Sequence, residues 1–184
     1  MKLYKLFQAG WMILTLSACQ TVPPMNYDFT PDQVVRSDHK TNGRLQSIEV
    51  MLARPEVRTG SITPDDSDMQ PIIREWQRAL TVSVNRSSMF DSNSDERVKL
   101  VVQILEFKHS SLLQLLVGRR ITHINSRYII IKSDTNTVLS SMDIESTGYG
   151  MAVQGELNMS IASYNNAVSS NIEKFIAVSN GVKP

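Results

Sequence analysis

The 184-residue sequence has little cysteine, no charge excess and no long apolar run. Its single cysteine, Cys19, excludes an intramolecular disulfide, a cysteine-rich zinc site and a CxxC redox pair. The 19 basic and 18 acidic side chains leave a formal charge of +1, whereas nucleic-acid-binding proteins usually carry a strongly basic face. No apolar run reaches the about 20 residues that a transmembrane helix needs. The composition instead suits one globular domain with a tail.

The N-terminus is typical of a secretory signal. Two lysines within residues 1–5 precede a short, mostly apolar stretch over residues 7–16, and small residues follow. The run Leu16-Ser17-Ala18-Cys19 resembles the bacterial lipobox. That resemblance implies cleavage before Cys19, a thioether-linked diacylglycerol on its sulfur and an N-acyl chain (palmitate in type), which together anchor a protein stably to a membrane. The alternative is an ordinary signal peptide whose cleavage site happens to precede a cysteine.

The residue after the cysteine bears on the destination. It is Gln20, whereas lipoproteins kept at the inner membrane typically have aspartate there. The resemblance therefore implies the outer membrane, with the protein facing the periplasm. Loss of residues 1–18 removes two lysines and brings the formal charge to −1, so electrostatic capture by anionic lipid does not explain the anchoring.

The mature chain divides into a tether and a domain. Residues 19–43 are rich in proline and polar side chains and lack a lasting period, which predicts a lipidated flexible tether. A domain over residues 44–180 follows, and residues 181–184 form a tail.

Hydrophobic periodicity predicts six elements in this domain. The predicted strands are 44–53, 97–109, 119–133 and 137–149, and the predicted helices are 69–86 and 159–179. Met89 and Phe90, in the loop after the first helix, are expected to fold back on the core. The order β-α-β-β-β-α predicts a single-domain α+β fold, with a largely antiparallel four-stranded sheet and both helices on one face.

A search for catalytic or metal-binding patterns favours structural interpretations. His39, His109 and His123 lack a second ligand at metal-binding spacing, and we interpret His123 as a cross-strand pairing residue. No motif that would activate a serine nucleophile is present. The sequence therefore predicts a non-enzyme without a metal or a cofactor, apart from the acyl chains on Cys19.

Two further patterns also have simple structural explanations. Gly148-Tyr149-Gly150 lacks the spacing of a phosphate-binding loop and predicts a turn. Asp65, Asp66 and Asp68 precede the first helix, where carboxylates cap free amides and complement the helix dipole.

The connection between the second and third strands, Ser110–Arg120, is unusually apolar for a hairpin loop. We call it the tip. Its candidate binding residues are Leu112, Leu113, Leu115, Leu116, Val117, Arg119 and Arg120. Such side chains either close one end of the core as a helical turn, bind a partner protein, or dip into lipid.

Together with the lipobox, four segments give the domain a resemblance to small periplasm-facing lipoproteins of the YajG type, and a more distant one to auxiliary lipoproteins of ABC-type lipid transport systems. The segments are Ser47–Val50, Trp76–Leu80, Leu100–Phe107 and Gly148–Phe175. The resemblance is architectural, covers about 140 residues and transfers no catalytic residue.

It implies a non-enzymatic envelope role in assembly, transport or scaffolding. Our first hypothesis is a lipid-anchored module that uses a sheet edge or the tip to hold another envelope protein, with a homo-oligomer as a further possible assembly. The second hypothesis is a lipid-transport accessory that holds an acyl chain between the helices and the sheet, and the third is an envelope hydrolase. No nucleic-acid partner is expected.

Overall fold

The computed structural model describes residues 26–37, 40–63, 69–109, 119–151 and 156–182, with side chains in the last helix described from residue 158 onward. Several residues singled out above lie outside these ranges. They are the lipobox with Cys19, His39, the carboxylates Asp65, Asp66 and Asp68, and residues 110–118 of the tip. Arg119 and Arg120 lie inside them.

Four strands and two long helices form the part of the domain that the structure describes. In chain order they are β1 (Arg44–Leu52), a 3-10 turn at Pro55–Val57, α1 (Met69–Ser87), β2 (Arg97–His109), β3 (Arg119–Lys132), β4 (Val138–Met151) and α2 (Glu156–Ser179). The sheet order is β1-β2-β3-β4. β1 pairs with β2 in parallel, with α1 in the connection, while β2, β3 and β4 form an antiparallel meander. The predicted α+β fold is confirmed.

The core lies between the helices and one face of the sheet. Alternate residues of β2, from Val98 to Ile104, are fully buried there because neighbouring strand side chains point to opposite faces. Trp76 of α1 and Phe175 of α2 are fully buried in the same cluster, and the Phe175 ring stacks on Tyr128 of β3 with centroids 4.1 Å apart. Met89 is also buried, so its predicted return to the core is confirmed.

One polar side chain, Asn171 of α2, lies within this apolar layer and is fully buried. Its Oδ1 accepts hydrogen bonds from Ser126 Oγ at 2.7 Å and from the Tyr128 hydroxyl at 2.8 Å. Its Nδ2 donates to the Ile144 carbonyl and to Ser146 Oγ, each at 3.1 Å. All four bonds that an amide side chain can make are present, so α2 is held in one register against β3 and β4.

Gly148 and Gly150 belong to β4, so the turn predicted for Gly148-Tyr149-Gly150 is wrong. A Cβ atom at Gly148 would overlap the Ser163 carbonyl oxygen and the Ala167 amide nitrogen of α2, and one at Gly150 would overlap the Met159 carbonyl oxygen. The strand therefore continues because glycine lets the helix backbone approach it closely.

Part of the segment predicted as a tether packs on the domain. The Phe29 side chain is fully buried in the core, and the backbone N–H of Ser37 donates to the Ser87 carbonyl at 2.9 Å. We call residues 26–37 the strap. The folded unit thus begins before residue 44, because burial of an aromatic ring outweighs the polar character of the surrounding segment.

Candidate binding surface

Both edges of the sheet are partly occupied by helix side chains. On the β4 edge, Asn166 Nδ2 donates to the Tyr149 carbonyl at 2.7 Å and Lys174 Nζ to the Glu145 carbonyl at 2.8 Å. On the β1 edge, a glutamine of α1 accepts from the Val50 N–H at 3.3 Å. These contacts use backbone groups that an added strand would need, so they disfavour docking by edge pairing.

The sheet face opposite the helices carries two apolar patches. The first, which we call the turn patch, lies beside the β3–β4 turn. It combines half-buried Val101, Ile129 and Ile131 with exposed Val138 and Leu139. The register pairs Val101 with Ile129 and Ile131 with Val138, so the patch is continuous across β2, β3 and β4.

The second, the tip patch, lies at the opposite end of the same face and consists of Arg119, Ile121, Tyr149 and Met151. The Tyr149 and Met151 side chains are 58% and 62% exposed. The register pairs Ile121 with Tyr149 and Arg119 with Met151. A basic side chain therefore adjoins exposed apolar ones where β3 leaves the tip.

A polar belt separates the two patches. Arg127 Nε and Nη2 donate to the two carboxylate oxygens of Asp143 at 2.7 and 2.8 Å, and this interaction lowers the pKa of Asp143. His123 Nδ1 lies 3.1 Å from Thr147 Oγ1 on the next strand, in keeping with the predicted cross-strand pairing. The exposed face therefore carries two apolar patches that are separated by polar side chains.

An aromatic cluster lies on the helix side of the same end as the tip patch. Tyr27 of the strap contacts Phe29 and Tyr164, with ring centroids 5.4 and 6.2 Å apart. Tyr164 stacks on His109, the last residue of β2, at 4.6 Å, and its hydroxyl hydrogen-bonds His109 Nε2. The strap and the base of the tip therefore meet through a continuous set of rings.

The environment of His109 favours the neutral imidazole. Burial, and to a smaller extent the positive charge of Arg120, lower its pKa to about 4. Arg120 is itself held by a hydrogen bond from Nε to Ser160 Oγ at 3.1 Å. At neutral pH the imidazole is an uncharged member of the aromatic cluster.

The hydroxyls near His109 do not form an accessible nucleophile. Thr122 Oγ1 and Ser163 Oγ lie 2.8 Å apart, both residues are fully buried, and Ser163 Oγ also donates to the Ser160 carbonyl. A substrate could not reach either oxygen. Among the described residues, no group of three or more histidines, cysteines or carboxylates is placed to hold a metal ion.

None of the helices within residues 26–37, 40–63, 69–109, 119–151 and 156–182 combines the length and the apolar character needed to cross a bilayer.

The structure places the two predicted arginines of the tip in different roles. Arg119 is exposed in the tip patch, whereas Arg120 contacts α2. Sequence reasoning missed Tyr149 and Met151, because the neighbouring Gly148 and Gly150 suggested a turn, and it missed Tyr27. The alternation of aromatic residues at Tyr27 and Phe29 inside a polar segment was the available signal.

Comparisons with solved structures show the fold. A crystal structure of a Xanthomonas campestris protein of the DUF330 family superposes with a TM-score of 0.56 at 13% identity, over 85% of this chain and 94% of that one. The chain has the fold of that protein.

Two further structures are similar at lower scores, which add no weight. A minor lipoprotein of Acinetobacter baumannii has a TM-score of 0.44 at 12% identity, over 79% of this chain and 99% of that one. PelC of Paraburkholderia phytofirmans, crystallised as a dodecamer, has a TM-score of 0.46 at 13% identity, over 81% and 96%. No protein-family model matches the chain, and no curated protein matches it in sequence.

Proposed function

We propose that this chain is a non-enzymatic lipoprotein of the bacterial envelope that holds another envelope protein. In this proposal, acyl chains on Cys19 attach it to the periplasmic face of the outer membrane. The observation that carries the binding role is the turn patch, an apolar surface across three strands on a sheet face that neither helix covers. Clustered exposed apolar side chains are typical of interaction sites.

The structure favours the sheet face over the sheet edge as the docking surface. Helix side chains already hydrogen-bond backbone groups of Val50, Glu145 and Tyr149 on the two edges. The turn patch, by contrast, offers exposed Val138 and Leu139 beside half-buried Ile131. A partner that covers this patch would remove apolar surface from water at about 25 cal/mol per Å².

The alternative, a lipid-transport accessory, has weaker support. It requires an acyl chain between the helices and the sheet, where Trp76, Tyr128 and Phe175 are packed. Room for a chain there would require these rings to move, and displaced core side chains carry a large free-energy cost. Mass spectrometry of the purified protein tests the alternative, because a stoichiometric lipid beyond the covalent acyl chains would support it.

Two experiments test the main proposal. Cys19→Ser should release the protein from envelopes in sedimentation and carbonate washing. Mass spectrometry should show that the released variant lacks the mass of the acyl chains. A photo-crosslinking amino acid at Leu139 should then capture a protein in intact cells. The matched control position is Val35, which is 59% exposed on the strap against 45% for Leu139. Equal adducts at both positions, or none at Leu139, would contradict the proposed partner surface.

A further inference from the structure

The strap fixes the position at which the described chain begins. Tyr27 contacts Tyr164, which stacks on His109, the last residue of β2. In the sheet, His109 pairs with Thr122, and Thr122 with Gly148. Tyr27, near the start of the described chain, therefore lies at the level of the tip patch.

The length of the tether limits how the domain can stand on a membrane. Eight residues separate Cys19 from Tyr27, and a fully extended chain spans at most about 3.6 Å per residue, or about 29 Å in total. Along β4, ten residues separate Tyr149 from Leu139, which corresponds to about 34 Å. A lipidated Cys19 therefore cannot reach the bilayer when the turn-patch end points down toward it.

The tip patch has the chemistry of a membrane interface. Tyr149 combines an apolar ring with a polar hydroxyl, Met151 is a flexible apolar side chain, and Arg119 places a cation beside them. Tyrosine side chains favour the headgroup level of a bilayer, and arginine can reach lipid phosphates while its stem lies on apolar surface.

The polar belt opposes a flat orientation of the sheet face. Asp143 and Glu145 lie on this face between the two patches, together with the ion-paired Arg127. Contact with the turn patch as well would press these carboxylates against anionic headgroups. Upright attachment through one end avoids this cost.

We infer that the domain stands on the membrane through its tip-patch end, with Arg119, Ile121, Tyr149 and Met151 against the lipid headgroups and the turn patch directed away from the bilayer. This inference rests on the proposed lipid anchor at Cys19. It gives the two patches separate tasks, because lipid meets one and the partner protein reaches the other.

Site-specific labels on the intact lipoprotein test this orientation. Lipidation consumes the only native thiol, so Tyr149→Cys or Leu139→Cys provides one labelling site in each protein. The full-length lipidated protein is placed in vesicles of phosphatidylethanolamine and phosphatidylglycerol, with or without a headgroup-level spin-labelled lipid that quenches fluorescence. We expect several-fold stronger quenching of the label at position 149 than at position 139. Met151→Cys should repeat the result if Tyr149→Cys folds poorly.

The remaining outcomes separate the two proposals. Weak quenching at positions 149 and 151 in protein that still floats with the vesicles would overturn the orientation and leave the anchor intact. Equal quenching at positions 149 and 139 would indicate a flat domain and also overturn it. Protection of position 149 from a water-soluble quencher in detergent, rising with protein concentration, would assign the patch to contacts between copies. Failure of the protein to float would overturn the anchor itself.

Discussion

The two faces of the sheet use apolar residues in different ways. The helix-covered face is closed. It has stacked rings at Tyr128 and Phe175, a buried amide at Asn171 with every hydrogen bond made, and glycines where α2 approaches β4. The opposite face carries apolar side chains that remain partly or largely exposed. Stability therefore comes mainly from the first face, and the second is available for binding.

This difference has a clear consequence for substitutions. A change on the covered face should alter the free energy of unfolding, because neighbouring atoms cannot readjust in a close-packed interior. A change on the open face or in the tip should leave folding nearly intact and affect only interactions with other molecules. Substitutions on the covered face and in the tip test this division.

Gly148→Ala should have the largest effect. Its methyl group would overlap backbone atoms of Ser163 and Ala167, so α2 would have to move away from β4. We expect a loss of about 3 kcal/mol in unfolding free energy, measured by chemical denaturation. Gly60→Ala is the control, because the atoms nearest to its methyl group would belong to the side chain of Glu106, which can rotate, and not to backbone. Equal losses in both variants would contradict the close helix–strand contact.

Asn171→Leu should come next. The leucine is similar in size but leaves Ser126, Tyr128 and Ser146 without their buried partner. We expect a loss of about 2 kcal/mol in the same assay. Asn166→Leu on the same helix removes one exposed hydrogen bond and should cost less. A smaller loss for Asn171→Leu than for Asn166→Leu would rule out a stabilising role for the buried network.

His109 should make stability depend on pH in a defined window. The imidazole of the unfolded chain binds a proton near pH 6.5, whereas the folded chain binds it only near pH 4. The unfolded state therefore holds more protons between these values, and the unfolding free energy should fall as the pH drops from about 6.5 to about 4. His109→Gln should flatten the curve in this window. An unchanged slope in His109→Gln would assign the dependence to other groups.

The double substitution Leu113→Asp and Leu116→Asp should have the smallest effect on stability. If the tip stands against lipid together with the tip patch, thermal unfolding should barely change, co-purification with the partner that binds the turn patch should persist, and quenching of a label at position 149 by the headgroup-level spin label should fall. A large fall in melting temperature would instead assign these leucines to the core. A double substitution of Ser110 and Ser111 to aspartate in the same loop is the control for added charge.

The sequence was sufficient to predict the fold because its hydrophobic residues follow the strand and helix periods clearly. Alternation along residues 98–104 marks a strand that is buried on one face, and the spacing of Ile72, Ile73 and Trp76 marks a helix with one apolar stripe. Strand and helix bounds deviate by three residues or fewer from the prediction, since end residues depend on local hydrogen bonds that periodicity does not encode.

Features that depend on tertiary packing could not be read in the same way. Gly148 and Gly150 suggest a turn locally, and only the proximity of α2 explains their presence in a strand. Asn171 looks like an interruption of an apolar stripe until its partners on β3 and β4 are known. The tip patch joins residues from two strands, so the sequence points to Arg119 but not to Tyr149 or Met151.

The burial of Phe29 determines how a mechanical load would enter this molecule. Tension on an acylated N-terminus would first meet a ring seated in the core, and β1, which starts farther along the chain, would be shielded from that pull. In the proposed lipid-anchored protein, extraction from the bilayer and unfolding of the sheet would be mechanically separate events. A force applied to the anchor along the membrane plane would reorient the whole domain before it separated any strand from the sheet.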